Sequence, residues 1–174
     1  MHLLAALAHV GRVAQAGAVA SISQRVSAQL ELPPPRKGTV HKHLLIIDDS
    51  EPDLLYGQIV AERAGIVQRV SSQESAREAL AFLQQPAGCD VDLIFLDINM
   101  PGMDGFGFLK AFEALDTYDQ ARAPVVVMLT SSPDTRDRER AFGFKSVRDY
   151  LIKPISIEQA RQMQQRLESA GERS

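Results

Sequence analysis

The sequence predicts an α/β domain: a five-stranded parallel sheet with helices on both faces. Two observations carry this reading. From His43 onward, short and predominantly apolar runs (Leu44 to Ile47, Val91 to Leu96, Val125 to Leu129, Tyr150 to Ile152) alternate with segments of helical pattern. Strand-length apolar runs belong to strands buried on both faces, and their alternation with helices implies a parallel sheet. These runs also stop abruptly at charged or hydroxylated residues: Asp48 and Asp49, Asp97, Thr130, and Lys153. Open α/β sheets place their ligands at the carboxyl edge, where such residues would gather.

In chain order, strands are expected at 43–48, 67–71, 91–97, 124–129 and 147–152, and helices at 52–64, 73–85, 105–116, 134–142 and 155–169. The first strand ends in Asp48-Asp49, and Asp49-Ser50-Glu51 offers an N-cap with acids where a helix start favours them. The third strand ends at Asp97 and gives way at once to a turn through Asn99, Pro101 and Gly102 to Gly105. The fourth ends in Thr130-Ser131-Ser132, and the fifth in Lys153-Pro154. Each crossover is short enough for a right-handed βαβ unit. Leu115 to Ala123 reads as a long polar loop.

Residues 1–40 differ in kind. They lack the strand-turn rhythm, and Pro33-Pro34-Pro35 imposes a stiff, extended linker ahead of Arg36-Lys37-Gly38. The expected organisation is therefore a 1–40 extension with its Pro-rich linker, a 41–170 domain and a 171–174 tail. Within the extension, Leu3, Leu7 and Val10 share one helical face, as do Val19, Ile22, Val26 and Leu30; Gly11 and Gly17 break the spacing. A helical or a disordered extension both fit, and its apolar faces leave room for a homodimer or a partner helix.

The chain has 174 residues, 45% of them hydrophobic, enough for one core. Its net charge of −3 supplies no basic field, so no nucleic-acid partner is expected. No apolar stretch reaches the ~18 residues of a membrane span. Ala18-Val19-Ala20 has the form of a signal-peptidase site, but no Lys or Arg precedes the Leu3 to Val10 block and Arg12 interrupts the apolar run, so a cytoplasmic location is expected. Cys89, the one cysteine, fits a reduced thiol. His41 and His43 have too few companions to make a metal site.

Asp48, Asp49 and Asp97 would meet as three carboxylates at one edge. Such acids repel one another, and an all-oxygen set with few protein ligands suits Mg²⁺, which keeps several of its waters. A carboxylate nucleophile, metal-holding acids, the Thr130 hydroxyl and the Lys153 ammonium are together the parts needed for phosphoryl transfer to an aspartate.

At this point the chain resembles the receiver domain of two-component response regulators. Asp48-Asp49, Asp97 with Met100-Pro101-Gly102-Met103-Asp104-Gly105, Thr130-Ser131 and Lys153-Pro154 carry the resemblance, which covers roughly His43 to Leu167. It implies a flavodoxin-like fold with strand order 2-1-3-4-5. It implies Asp97 as phosphoacceptor, Asp49 as a direct Mg²⁺ ligand, Asp48 acting partly through water, and Asn99 contributing its backbone carbonyl. Lys153 would pair with Asp97 and then with its phosphoryl oxygens, ahead of a cis Lys153-Pro154 bond. Thr130 would bond a phosphoryl oxygen and draw its loop inward. Two readings stand for Tyr150: a switch residue that rotates in behind Thr130, or an edge-of-core aromatic with its hydroxyl in water. A simpler role for Asp97 is also available, capping the turn before Gly102.

The resemblance implies a phosphoacceptor switch that assists its own phosphorylation and dephosphorylation rather than an enzyme; it is expected to stand alone, since the chain ends soon after the fifth helix. Its donor would be a sensor histidine kinase or a histidine phosphotransfer protein, and its output docking to a downstream protein. Two other classes compete. A phosphorylation-independent docking module loses ground because every chemical position is filled. A haloacid-dehalogenase-like phosphatase needs an acid two residues past its nucleophile, where this chain has Asn99.

Overall fold

A computed structural model describes residues 40–116, 118–120 and 122–171. The expectations for residues 1–39 and 172–174 lie outside them. Five strands, β1 (His41–Ile47), β2 (Val67–Gln73), β3 (Leu93–Asp97), β4 (Val125–Thr130) and β5 (Val147–Ile152), form one parallel sheet in the order β2-β1-β3-β4-β5. The helices are α1 (Glu51–Ala64), α2 (Ala76–Leu83), α3 (Gly105–Glu113), α4 (Thr135–Ala141) and α5 (Ile157–Gly171). This is the flavodoxin-like arrangement.

Side chains alternate across a strand, so each strand feeds two cores. Leu45, Ile47, Ile94, Leu96, Val126 and Met128 face α2 and α3, where Phe108, Leu109 and Phe112 cover them. Leu44, Ile46, Phe95, Val127 and Leu129 face the other way, against Leu54, Val60 and Ala61 of α1 and Met163 of α5. Both faces of the central strands are covered, which is why their sequence is apolar without alternation. Complete burial of each large side chain contributes roughly 1.5–3 kcal/mol.

Several boundaries differ from the sequence reading, for local reasons. The helix expected at 73–85 is shorter, because Ser75 caps α2 by accepting the Glu78 N–H (3.3 Å) and Pro86–Gly88 winds into a separate 3-10 turn. α3 stops at Glu113 rather than 116; beyond it Tyr118 folds back edge-on to Phe112, with ring centroids 5.3 Å apart. The Leu115 to Ala123 loop is thus anchored by an aromatic. α5 begins at Ile157 because Ser156 and Gln159 form a reciprocal cap, Gln159 N–H to Ser156 Oγ (3.1 Å) and Ser156 N–H to Gln159 Oε1 (2.8 Å).

At the amino edge of the sheet, polar groups are closely matched. Asp92 accepts the backbone N–H groups of Lys42 (2.9 Å) and His43 (3.1 Å), and its carboxylate lies 3.5 Å from His41. His43 is 1% exposed, with Nε2 at 2.8 Å from Ser71 Oγ and Nδ1 at 3.0 Å from Asp90, which also pairs with Arg69. The two strand histidines therefore take separate partners.

Candidate functional site

Parallel register sets the opposite edge. Ile47 pairs with Leu96, Asp97 with Leu129 and Thr130 with Ile152, so the residues that end β1, β3, β4 and β5 emerge side by side. Asp48 leaves β1 buried at 2% exposure, Asp97 closes β3 at 4%, and Asp49 turns outward. One carboxylate oxygen from each lies within 4.8 Å of the others.

The turn after β3 holds Asp97 in place. The Asn99 N–H donates to Asp97 Oδ2 (2.7 Å), and the Gly105 N–H returns to the Ile98 carbonyl (2.9 Å). Asp97 thus makes a turn bond as well as facing the acid cluster. α3 begins so close to β3 that a Cβ on Gly105 would stand 2.4 Å from the Asp97 carbonyl oxygen. Only glycine fits there without moving the strand end. Gly102 turns the loop at φ 77°, a left-handed conformation suited to glycine.

Lys153 enters from the end of β5, its N–H bonded to the Thr130 carbonyl (2.7 Å), and its bond to Pro154 is cis. Its ammonium lies 2.7 Å from Asp97 Oδ1, 2.7 Å from Asp48 Oδ2 and 2.9 Å from Asp53 Oδ2. Burial works against the charge on Lys153, but hydrogen bonds to Asp48, Asp97 and Asp53 outweigh it and hold the ammonium above the ordinary lysine value. Burial pushes the Asp48 carboxyl up, opposed by Lys153 and by the Ser50 N–H at 3.0 Å.

Asp53 is the site residue that sequence reasoning missed. It stands four residues past Asp49 in the first turn of α1, so the helix start carries it to the same edge; that spacing was the available signal. The expected Asp49-Ser50-Glu51 cap is realised only in part: Ser50 occupies the N-cap without a side-chain bond, and Glu51 and Asp53 lie in the first turn.

Thr130 is buried, and its hydroxyl donates to the Ser132 carbonyl (3.0 Å) and accepts the Ser132 N–H (3.1 Å). Tyr150 is 6% exposed, and its hydroxyl is buried without a hydrogen-bond partner among the described residues. Burial pushes its pKa up, partly offset by the neighbouring Thr130. This corrects the reading that put its hydroxyl in water, because β5 turns the ring onto the core containing Phe106 and Met128.

The donor set fits a hard divalent cation. Asp48, Asp49 and Asp97 present oxygen only, and among the described residues Lys153 is the ammonium that meets Asp48 and Asp97. With Asn99 lying two residues past Asp97, the groups expected to hold Mg²⁺ all belong to one edge of the sheet.

The profile of the response regulator receiver domain matches residues 44–165. The chain belongs to that family. It is 33% identical to the two-component response regulator ORR8 of Oryza sativa over 115 residues, 66% of this chain and 88% of that protein. It is 32% identical to the virulence sensor protein BvgS of Bordetella bronchiseptica over 144 residues, 80% of this chain but only 11% of that sensor's length. In structure it resembles the chemotaxis response regulator CheY4 of Vibrio cholerae, at TM-score 0.61 and 27% identity, covering 74% of this chain and 99% of that one. Receiver domains are phosphoacceptor switches of two-component systems and bind Mg²⁺. Among the described residues, no helix is long and apolar enough to cross a membrane.

Proposed function

We propose that this receiver accepts a phosphoryl group on Asp97 from a phosphohistidine of a sensor histidine kinase or histidine phosphotransfer protein, in a Mg²⁺-dependent reaction, and signals by phosphorylation-dependent docking. The observation that carries the reading is a buried Asp97 carboxylate 2.7 Å from Lys153 and clustered with Asp48 and Asp49. A carboxylate oxygen of Asp97 attacks phosphorus; the new O–P bond forms as the N–P bond to the donor imidazole breaks, and that nitrogen leaves with the electron pair. Bound Mg²⁺ supplies neutralising charge between an anionic donor and an anionic pocket. Asp48, Asp49, Asp97 and the Asn99 carbonyl are the groups proposed to hold it.

Within the chain, Lys153 offsets charge on the incoming phosphoryl oxygens, and the Asn99 N–H keeps the Asp97 carboxylate oriented. Thr130 bonds back to Ser132 before modification, so reaching a phosphoryl oxygen requires it to exchange those bonds. That exchange moves the loop starting at Ser131, with Tyr150 packed behind it as the second part of the switch. A cytoplasmic location, where ATP-dependent kinases work, follows from this chemistry. We assign the receiver to 41–170, with 1–40 as a separable extension and 171–174 as a tail. A chain starting at Val40 is expected to fold and to be phosphorylated at a similar rate.

Incubation with phosphoramidate and Mg²⁺, followed by intact mass, tests the reading. One hydroxylamine-labile phosphoryl group per chain is expected, with no labelling when Mg²⁺ is chelated beforehand. Full labelling of Asp97→Asn would overturn it.

A further inference from the structure

Lys153 and Asp97 belong to the phosphoacceptor switch proposed for this receiver, on which this inference rests; Asp53 has no part in it so far. An ammonium has three N–H donors. In this structure all three have a carboxylate: Asp48 and Asp97 at 2.7 Å, and Asp53 at 2.9 Å. A phosphoryl oxygen arriving on Asp97 therefore finds no free donor on Lys153, and one of the three contacts has to yield. The three acids are not equivalent. The side chains of Asp48 and Asp97 are 3% and 5% exposed, whereas that of Asp53 is 44% exposed. Asp53 also lines a cleft of about 210 Å³ with Tyr56, Gly57, Ser131 and Lys153, open to solvent. Released from the lysine, Asp53 is rehydrated at little cost, whereas Asp48 would be left as a buried charge without its partner, and so would Asp97 until its own O–P bond forms.

We propose that Asp53 is a positioning residue that competes with the phosphoryl group for Lys153: it holds the ammonium in the unmodified receiver and gives way when Asp97 is phosphorylated. It acts through the lysine and touches no reacting atom. Its strength sets how readily the phosphorylated state forms.

The test uses the full chain with phosphoramidate and Mg²⁺, reading rate and extent of labelling by intact mass. Asp53→Asn keeps size and polarity but removes the charge, and is expected to raise the labelling rate about two- to five-fold, the range a partly exposed ion pair can supply. Asp53→Glu retains the carboxylate and is expected to stay near wild type. Raising salt is expected to narrow the gap between wild type and Asp53→Asn, as screening weakens an exposed pair. In a Lys153→Ala background the Asp53→Asn effect is expected to vanish, because the competitor then has nothing to hold.

An unchanged or lower rate for Asp53→Asn overturns the proposal. So does an increase that persists without Lys153, since Asp53 would then act through the metal or the general field. Wild-type chain that fails to label, or labelling that survives Asp97→Asn, would instead remove the phosphoacceptor reading itself.

Discussion

The two edges of this sheet each carry a group of acids, and they are built on opposite terms. At the amino edge, Asp90 and Asp92 are supplied with partners. His43 and then Arg69 hold the Asp90 carboxyl below the usual range. For Asp92, burial is outweighed by His41 and the N–H groups of Lys42 and His43, and its carboxyl too is held low. At the carboxyl edge, Asp48 is pushed up by burial, and Asp48, Asp53 and Asp97 share a single lysine, with Asp49 close by. Acids matched one by one to cations and N–H donors stabilise a fold. Acids that outnumber their cations leave a site for a metal ion and a reactive group.

The largest separation of the two edges should appear in chemistry. Asp97→Asn is expected to abolish phosphoryl labelling by phosphoramidate while the chain stays folded by circular dichroism. Asp92→Ala should label normally, and loss of its labelling with the fold intact would break the comparison.

Stability should separate them in the other direction. Asp92→Ala removes the acceptor from two backbone N–H groups, one exposed and one part-buried, at a cost of ~1 kcal/mol measured by urea unfolding. Asp97→Asn is expected to cost less, because it also relieves repulsion from Asp48.

The pH dependence sharpens the contrast further. The folded pKa of Asp48 lies above its ordinary 3.8, so the folded chain binds that proton more tightly than the unfolded chain. Its contribution is present below 3.8 and lost as pH rises through the folded value. Asp92 has the opposite sign: its contribution is present above 3.8 and lost as pH falls through its lowered folded value. In urea unfolding without Mg²⁺, Asp48→Asn should therefore lessen the fall in stability on the rising side, and Asp92→Asn the fall on the acid side. Equal slopes in both variants would contradict the assignment.

The smallest effects belong to the switch. Thr130→Ala is expected to label, with partner affinity responding weakly to phosphorylation, and Lys153→Ala to keep some labelling with a similarly poor response. A normal rise in partner affinity in either variant would remove that residue from the switch.

Much of this was legible in the residues. The apolar runs from Leu44 and Val125 marked buried strands, and the abrupt polar ends at Asp48-Asp49, Asp97, Thr130 and Lys153 marked the edge where they would meet. What the pattern did not carry was anything decided by three-dimensional neighbours. The helix after Gln73 begins late because Ser75 caps it, and Tyr118 closes a loop that reads as polar.

By itself the sequence determined the fold class, the alternation that builds both cores, and the identity of the groups at the carboxyl edge, because period, apolarity and strand-end residues are local properties of the chain. Only the tertiary structure decided that Asp48 is buried while Asp49 is exposed, that the Tyr150 hydroxyl is enclosed, and that Asp53 reaches Lys153 across 100 residues of sequence. Those outcomes depend on strand register and on where α1 starts relative to β5, and no local pattern records how two distant segments are placed against each other.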